Sequence, residues 1–215
     1  DVSHELRTPM TIIDGAAQFL ETESGLSEKG RQRALMIRRA CKDVSELIEA
    51  FLILGREPAL LDEERSVDVA EVAESELAKL SMLLEHEPVR LELVRRGELS
   101  VPVNRKIFEI IIGNLCRNAI KYTESGAIRV VVTETGLRVE DSGPGIDEQL
   151  IPHIFERHVR GRGLQQAGEG LGLNIVKRLC DLYHWQISIA NRPDGGVAVT
   201  LEIPRSSRHS PAAGS

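Results

Sequence analysis

The sequence predicts an α+β protein in two parts, an antiparallel helical hairpin followed by an α/β sandwich. Three observations carry this. The first 54 residues hold two apolar patterns of heptad spacing, in which Leu6, Met10, Ile13, Ala17 and Leu20 form one seam and Ala34, Ile37, Cys41, Val44, Ile48 and Phe51 the other. Residues 55–66 carry Gly, Pro and a run of charge, the composition of a linker. From residue 67 onward short alternating runs interleave with helical patterns, as in a mixed sheet covered on one face by helices.

Within the hairpin, Glu23-Ser-Gly-Leu-Ser27 supplies the turn, with Gly25 as stop and Ser27 as cap. Two helices enclose little core, so a second copy is expected to complete a dimeric four-helix bundle. Pro9 should bend or loosen the first helix. The alternative is that it marks the helix start, although the apolar seam runs unbroken through it. His4, Glu5 and Thr8 fall outside the seam, and Thr11, Gly15 and Phe19 continue along the same outward side. Arg31, Arg33, Arg38 and Arg39 read as a solvated helix face.

Beyond the linker, a strand at 67–69 leads into a helix from Ala70 to about Leu84, and 89–94 alternates as a strand should. Asn104 can cap a long helix ending near Tyr122. Strands at 127–133 and 137–140 join through a turn at Gly136. A helix around 147–153, a Gly-bearing segment, a helix over 170–184 and strands at 186–190 and 197–203 follow. Asp194-Gly-Gly marks the last hairpin. The parts are thus 1–54 hairpin, 55–66 linker, 67–204 sandwich and 205–215 a disordered tail.

Composition narrows the function. With 41% hydrophobic and 28% charged residues the chain is globular, and 3% aromatics leave an aliphatic core. A net charge of −6 argues against a nucleic-acid binder. No apolar run has the length of about 20 residues that a membrane span needs. Cys41, Cys116 and Cys180 have no metal-type spacing and read as reduced core residues. The chain opens on Asp1-Val-Ser-His already inside a helical pattern, so native sequence is expected upstream, and any membrane link would run through it.

Four motifs carry chemistry, each weak alone. His4 beside Glu5 is a candidate phosphoryl acceptor. Asn114 and Asn118 stand one helical turn apart, beside Lys121 and Tyr122. Two carboxamides so placed can face Mg²⁺, and the lysine can neutralise a phosphate. Asp141-Ser-Gly143-Pro-Gly145 follows a strand. Its glycines permit close approach of a ligand, and its carboxylate can accept from an exocyclic amine such as adenine's. Gly168-Glu-Gly170-Leu-Gly172 opens a helix whose bare N–H groups suit phosphate, with no G-K-[ST] of a P-loop after it. Residues 159–167, with Arg157, Arg160 and Arg162 nearby, read as a lid carrying an arginine for the γ-phosphate.

In order and spacing these motifs resemble the sensor histidine kinases of bacterial two-component systems, from residue 1 to about 204. His4-Glu-Leu-Arg-Thr-Pro matches the H box, 114–122 the N box, 141–146 the G1 box, Ile154-Phe-Glu-Arg157 the F box and 168–173 the G2 box. His158 departs from the aromatic residue often found there. The resemblance implies a dimerisation and phosphotransfer hairpin, then an ATP-binding sandwich of the GHKL type shared with gyrase, Hsp90 and MutL. It implies His4 as phosphoacceptor, Glu5 polarising its ring, and Thr8 positioning water in dephosphorylation. Asn118 with Asn114 would be Mg²⁺ ligands, Lys121 a phosphate contact and Tyr122 a ring beside the base. Asp141 would read adenine, with Gly143, Gly145, Gly168, Gly170 and Gly172 lining the nucleotide and Arg160 reaching its phosphates. The partners implied are ATP with Mg²⁺, a response regulator, and a second copy joined through the hairpin. A nucleotide-gated dimeric binding module without kinase activity is the alternative reading.

Overall fold

The computed structural model describes residues 2–22, 25–55, 66–82, 84, 88–155 and 171–207; the side chains of 2–8, 39, 42, 43, 46, 47, 49–55 and 171 lie outside that description. Helices α1 (Val2–Thr22) and α2 (Glu28–Gly55) form the hairpin, and α1 runs through Pro9 without interruption. The turn follows its sequence. Gly25 takes φ +113°, a conformation that costs glycine nothing, and Ser27 Oγ accepts from the Gly30 N–H at 3.1 Å to cap α2.

Arg38 corrects the reading of a purely solvated basic face. Its guanidinium reaches across to α1, donating to Glu21 at 2.7 Å and to Asp14 at 3.3 Å, and these two carboxylates hold the ionised form beyond its ordinary range. Between the helices, Ala17, Ala34 and Cys41 are buried, whereas Ile13, Leu20, Ile37 and Val44 of the same seams stay exposed.

The second part is built from β1 (Val67–Asp68), α3 (Val69–Ser81), β2 (Val89–Arg95), β3 (Ser100–Val101), α4 (Arg105–Tyr122), β4 (Gly126–Thr133), β5 (Gly136–Glu140), α5 (Leu171–Leu182), β6 (Gln186–Asn191) and β7 (Val197–Glu202). Asp68 caps α3 by accepting from Ala70, and Asn104 caps α4 by accepting from Lys106. Five strands run β2-β4-β5-β7-β6; β2 and β4 are parallel and the other pairs antiparallel. The strand expected at 67–69 is β1; its antiparallel partner β3, too short to carry a periodic signal, was not expected from the sequence.

Period-2 alternation sorts the strands' side chains. Ile128, Val130, Val132, Leu137, Val139, Val199 and Leu201 join one core with Ile107, Ile111, Leu115 and Ala119, the stripe along α4. The opposite parity carries charge. Arg129 lies between Glu92 at 3.2 Å and Glu140 at 3.6 Å, and Arg138 meets Glu140 at 2.9 Å.

Two local expectations change. The helix anticipated at 147–153 is only a 3₁₀ turn at Ile151–His153, because Pro152 supplies no N–H to prolong it. Gly136 is not the turn itself, which falls at 134–135; it begins β5, where a Cβ would collide with the Leu201 carbonyl of β7. The described residues end on a 3₁₀ turn at Arg205–Ser207, inside the stretch expected to be a disordered tail.

Candidate functional site

Helix α4 forms the spine of the site. Asn114 faces inward at 6% exposure, and its amide Nδ2 donates to the Ile110 carbonyl at 2.8 Å. That bond fixes the carboxamide. Its oxygen then points toward the start of α5, where a Cβ on Gly172 would stand 2.8 Å away. Asn118, one turn on, is partly exposed. At the C-terminal end of α4, Lys121 Nζ lies 4.9 Å from the centre of the Tyr122 ring, a cation–π contact.

The loop after β5 packs against that same end. Its Gly143 is needed for the approach, since a Cβ there would come 2.7 Å from the Tyr122 carbonyl oxygen. Asp141 is 9% exposed, and its Oδ1 accepts from the N–H of Gly143 at 2.8 Å and of Val197 at 3.1 Å. Those two donors fix the carboxylate plane, while Oδ2 has no protein partner among the described residues. An anchored carboxylate with one oxygen left over is a hydrogen-bond acceptor aimed by the backbone. Ser142 ties the loop to the start of β4, accepting from Ala127 N–H at 3.1 Å and donating to the Ser125 carbonyl at 3.2 Å.

Sequence reasoning missed four contributors here. Thr123, next to Tyr122, is buried with a hydroxyl that finds no partner among the described residues. Asn174 of α5 donates to the Phe155 carbonyl at 3.0 Å and so tethers the end of the 148–155 stretch. Asn191 and Arg192 reach the 141–146 loop from the β6–β7 hairpin. All four depend on tertiary placement, and no local motif marks them.

His4, Glu5 and Thr8 lie on α1, with their side chains outside the described ones. Arg160, Gly168 and Gly170, the 159–167 segment and the second half of the Ile154-Phe-Glu-Arg157 motif also lie outside the described residues. Among the described residues no cluster of His, Cys, Asp or Glu could hold a metal, and no helix is long and apolar enough to cross a membrane. The donor set does fit a hard cation of another kind. The carboxamide oxygen of Asn114, against a helix start without a Cβ, is an oxygen donor of the kind that suits an ion taking its remaining ligands from water and phosphate.

Two family models match the chain in tandem. Residues 1–60 match the His Kinase A (phospho-acceptor) domain, and residues 104–207 the histidine kinase-, DNA gyrase B-, and HSP90-like ATPase. The sensor histidine kinase TmoS of Ectopseudomonas mendocina is 32% identical over 94% of this chain and 22% of its own length. GtrS of Pseudomonas aeruginosa, also a sensor histidine kinase, is 34% identical over 95% of this chain and 41% of its own. The chain therefore spans less than half the length of these relatives. In fold it is similar to full-length ShkA in complex with AMPPNP, with a TM-score of 0.64 at 24% identity over 99% of this chain and 46% of that one.

Proposed function

Because the chain belongs to the sensor histidine kinases of bacterial two-component systems, we propose that it phosphorylates its own His4 from ATP and passes the group to an aspartate of a response regulator. The observation that carries this reading is the anchored carboxylate of Asp141, Oδ1 held by two N–H groups and Oδ2 without a partner among the described residues, in a chain that also presents a phospho-acceptor helix.

Asp141 Oδ2 accepts from the exocyclic amine of adenine, with Gly143 and Gly145 letting the base lie close and Tyr122 beside it. Lys121 sits against a phosphate. Mg²⁺, when bound, neutralises charge on the phosphate oxygens, and Asn118 and Asn114 are the carboxamides that would hold it. Gly168, Gly170 and Gly172 bring backbone N–H groups to the phosphates, and Arg160 contributes positive charge from the lid. A ring nitrogen of His4 attacks the γ-phosphorus in line. The N–P bond forms as the bond to the bridging oxygen breaks, and ADP leaves with that electron pair. Glu5 orients the ring and accepts the proton of its other nitrogen as positive charge grows. Attack by a carboxylate of the regulator on the same phosphorus frees His4, and Thr8 positions water when the regulator is dephosphorylated.

The hairpin is proposed to dimerise through its seams, since Ile13, Leu20, Ile37 and Val44 cannot be covered by two helices alone. The Thr11, Ile12, Gly15 and Phe19 side is proposed as part of the regulator's docking face; Phe19 is 79% exposed. We place this portion in the cytoplasm, where ATP and a response regulator are at hand. A binding module without kinase activity would have no use for an acid beside the acceptor histidine.

Incubation with γ-labelled ATP tests the reading. Label that is acid-labile, stable in alkali and absent from His4→Ala supports it. ATP binding with no label on the protein would overturn it. Undiminished Mg²⁺–ATP binding by Asn118→Ala would remove the metal assignment.

A further inference from the structure

The loop from Asp141 to Ile146 is gripped at both ends by one neighbouring hairpin. At its start, Arg192 Nη1 donates to the Asp141 carbonyl at 2.8 Å. At its end, the Asn191 carboxamide accepts from the Ile146 N–H at 2.8 Å and donates to the Ile146 carbonyl at 2.7 Å. One side-chain amide thus satisfies both backbone groups of one residue, as a neighbouring strand would. It does so beyond the β5–β7 pairing, past the backbone hydrogen bond from the Asp141 N–H to the Val197 carbonyl at 2.9 Å. Arg192 is itself held by Glu140, at 3.8 Å, and is only 19% exposed.

The hairpin's shape serves the same contact. Gly196 takes φ +81°, and a Cβ there would collide with the Asp141 carbonyl oxygen. Gly145 takes φ +85° beneath the Asn191 carboxamide, where a Cβ would come within 3.1 Å of Oδ1. The two N–H groups that orient the Asp141 carboxylate come one from each side of this seam. Gly143 belongs to the loop, and Val197 is the first residue of β7 after the hairpin. If the seam slips, the donors separate and the carboxylate turns. Hydrogen bonds weaken steeply with such misalignment.

We propose that Asn191 and Arg192 are positioning residues for nucleotide selection: by locking the loop to the hairpin they aim Asp141 Oδ2 and so set the preference for purines with a 6-amino group. This rests on the reading of Asp141 as the adenine contact.

The test is titration calorimetry on the full chain with Mg²⁺–ATP and with purine riboside triphosphate, which lacks the 6-amino group. Arg192→Ala and Asn191→Ala should each weaken ATP binding about tenfold, the scale of a lost charge-assisted hydrogen bond. Binding of the purine riboside nucleotide should stay within about twofold, since it makes no such bond. Arg192→Lys, which keeps a donor, should recover part of the preference. The ratio of the two affinities does not depend on the folded fraction, and Asn191→Asp, which keeps the acceptor for Ile146, serves if an alanine variant does not fold. Parallel weakening of both nucleotides, with the preference intact, would give the hairpin a merely structural role and overturn the inference. Asp141→Asn separates the two readings. Preference unchanged in that variant overturns the adenine assignment itself, whereas preference lost there but kept in both hairpin variants overturns only the proposal for Asn191 and Arg192.

Discussion

The carboxamide oxygen of Asn114 faces Gly172 so closely that a Cβ on the glycine would stand 2.8 Å from it. The oxygen cannot swing away, because the nitrogen of the same group is bonded to Ile110. Helices α4 and α5 therefore meet across a contact that tolerates no side chain. Gly172→Ala should push the start of α5 outward at a cost of about 1–3 kcal/mol and weaken Mg²⁺–ATP binding about tenfold. Calorimetry measures it. Adding Asn114→Ala should restore the melting temperature by removing the obstacle, without restoring the Mg²⁺-dependent part of the affinity.

The seam of the hairpin makes a second prediction. Ile13 and Ile37 are 45% and 42% exposed although both occupy core positions of the heptad pattern. Burial of an isoleucine is worth about 1.5–3 kcal/mol, so Ile13→Asp combined with Ile37→Asp should turn the proposed dimer into monomers at micromolar concentration. Sedimentation equilibrium reads the outcome; a dimer that persists would place the interface on another face.

A third concerns the two glycines of the last hairpin. Both have positive φ, +91° at Gly195 and +81° at Gly196, yet only Gly196 lies against a carbonyl, while a Cβ on Gly195 would enter open space. Backbone strain of about 1–3 kcal/mol applies to alanine at either site. Gly196→Ala adds a clash with Asp141 and should lower the melting temperature by several degrees more than Gly195→Ala, as thermal denaturation will show.

Alkaline pH supplies the fourth. Burial pushes the thiols of Cys116 and Cys180 up to about 12 from an ordinary 9.0, with smaller effects from neighbouring charges. Above pH 9 the unfolded chain sheds thiol protons that the folded chain keeps. Stability is thus fully present below 9 and is lost as pH rises toward 12, by at most about 1.4 kcal/mol per pH unit for each thiol. Urea titrations across this window should show the slope, and Cys116→Ala with Cys180→Ala should flatten it. Burial also pushes Tyr183 up, so a residual slope persists.

Much of the fold was legible because local rules wrote it. The α4 stripe of Ile107, Ile111, Leu115 and Ala119 repeats at helical spacing, Asn104 sits where a cap belongs, and Asp194-Gly-Gly marks its hairpin. The illegible parts share a cause. Arg38 looked solvated because nothing near it in sequence names Asp14 or Glu21. Gly136 looked like a turn because its true constraint, the Leu201 carbonyl, lies in another strand.

By itself the sequence determined most of the elements, the order of the motifs, and the residue types within them. Periodicity and capping act within a few residues, so they can be read along the chain. Only the tertiary structure decided which oxygen of Asp141 the backbone holds and from where. Its second donor, Val197, and its brace, Arg192, arrive through the strand order β2-β4-β5-β7-β6. A two-residue alternation states which face a side chain takes, but not which strand will lie beside it, and that neighbour is what aims the carboxylate.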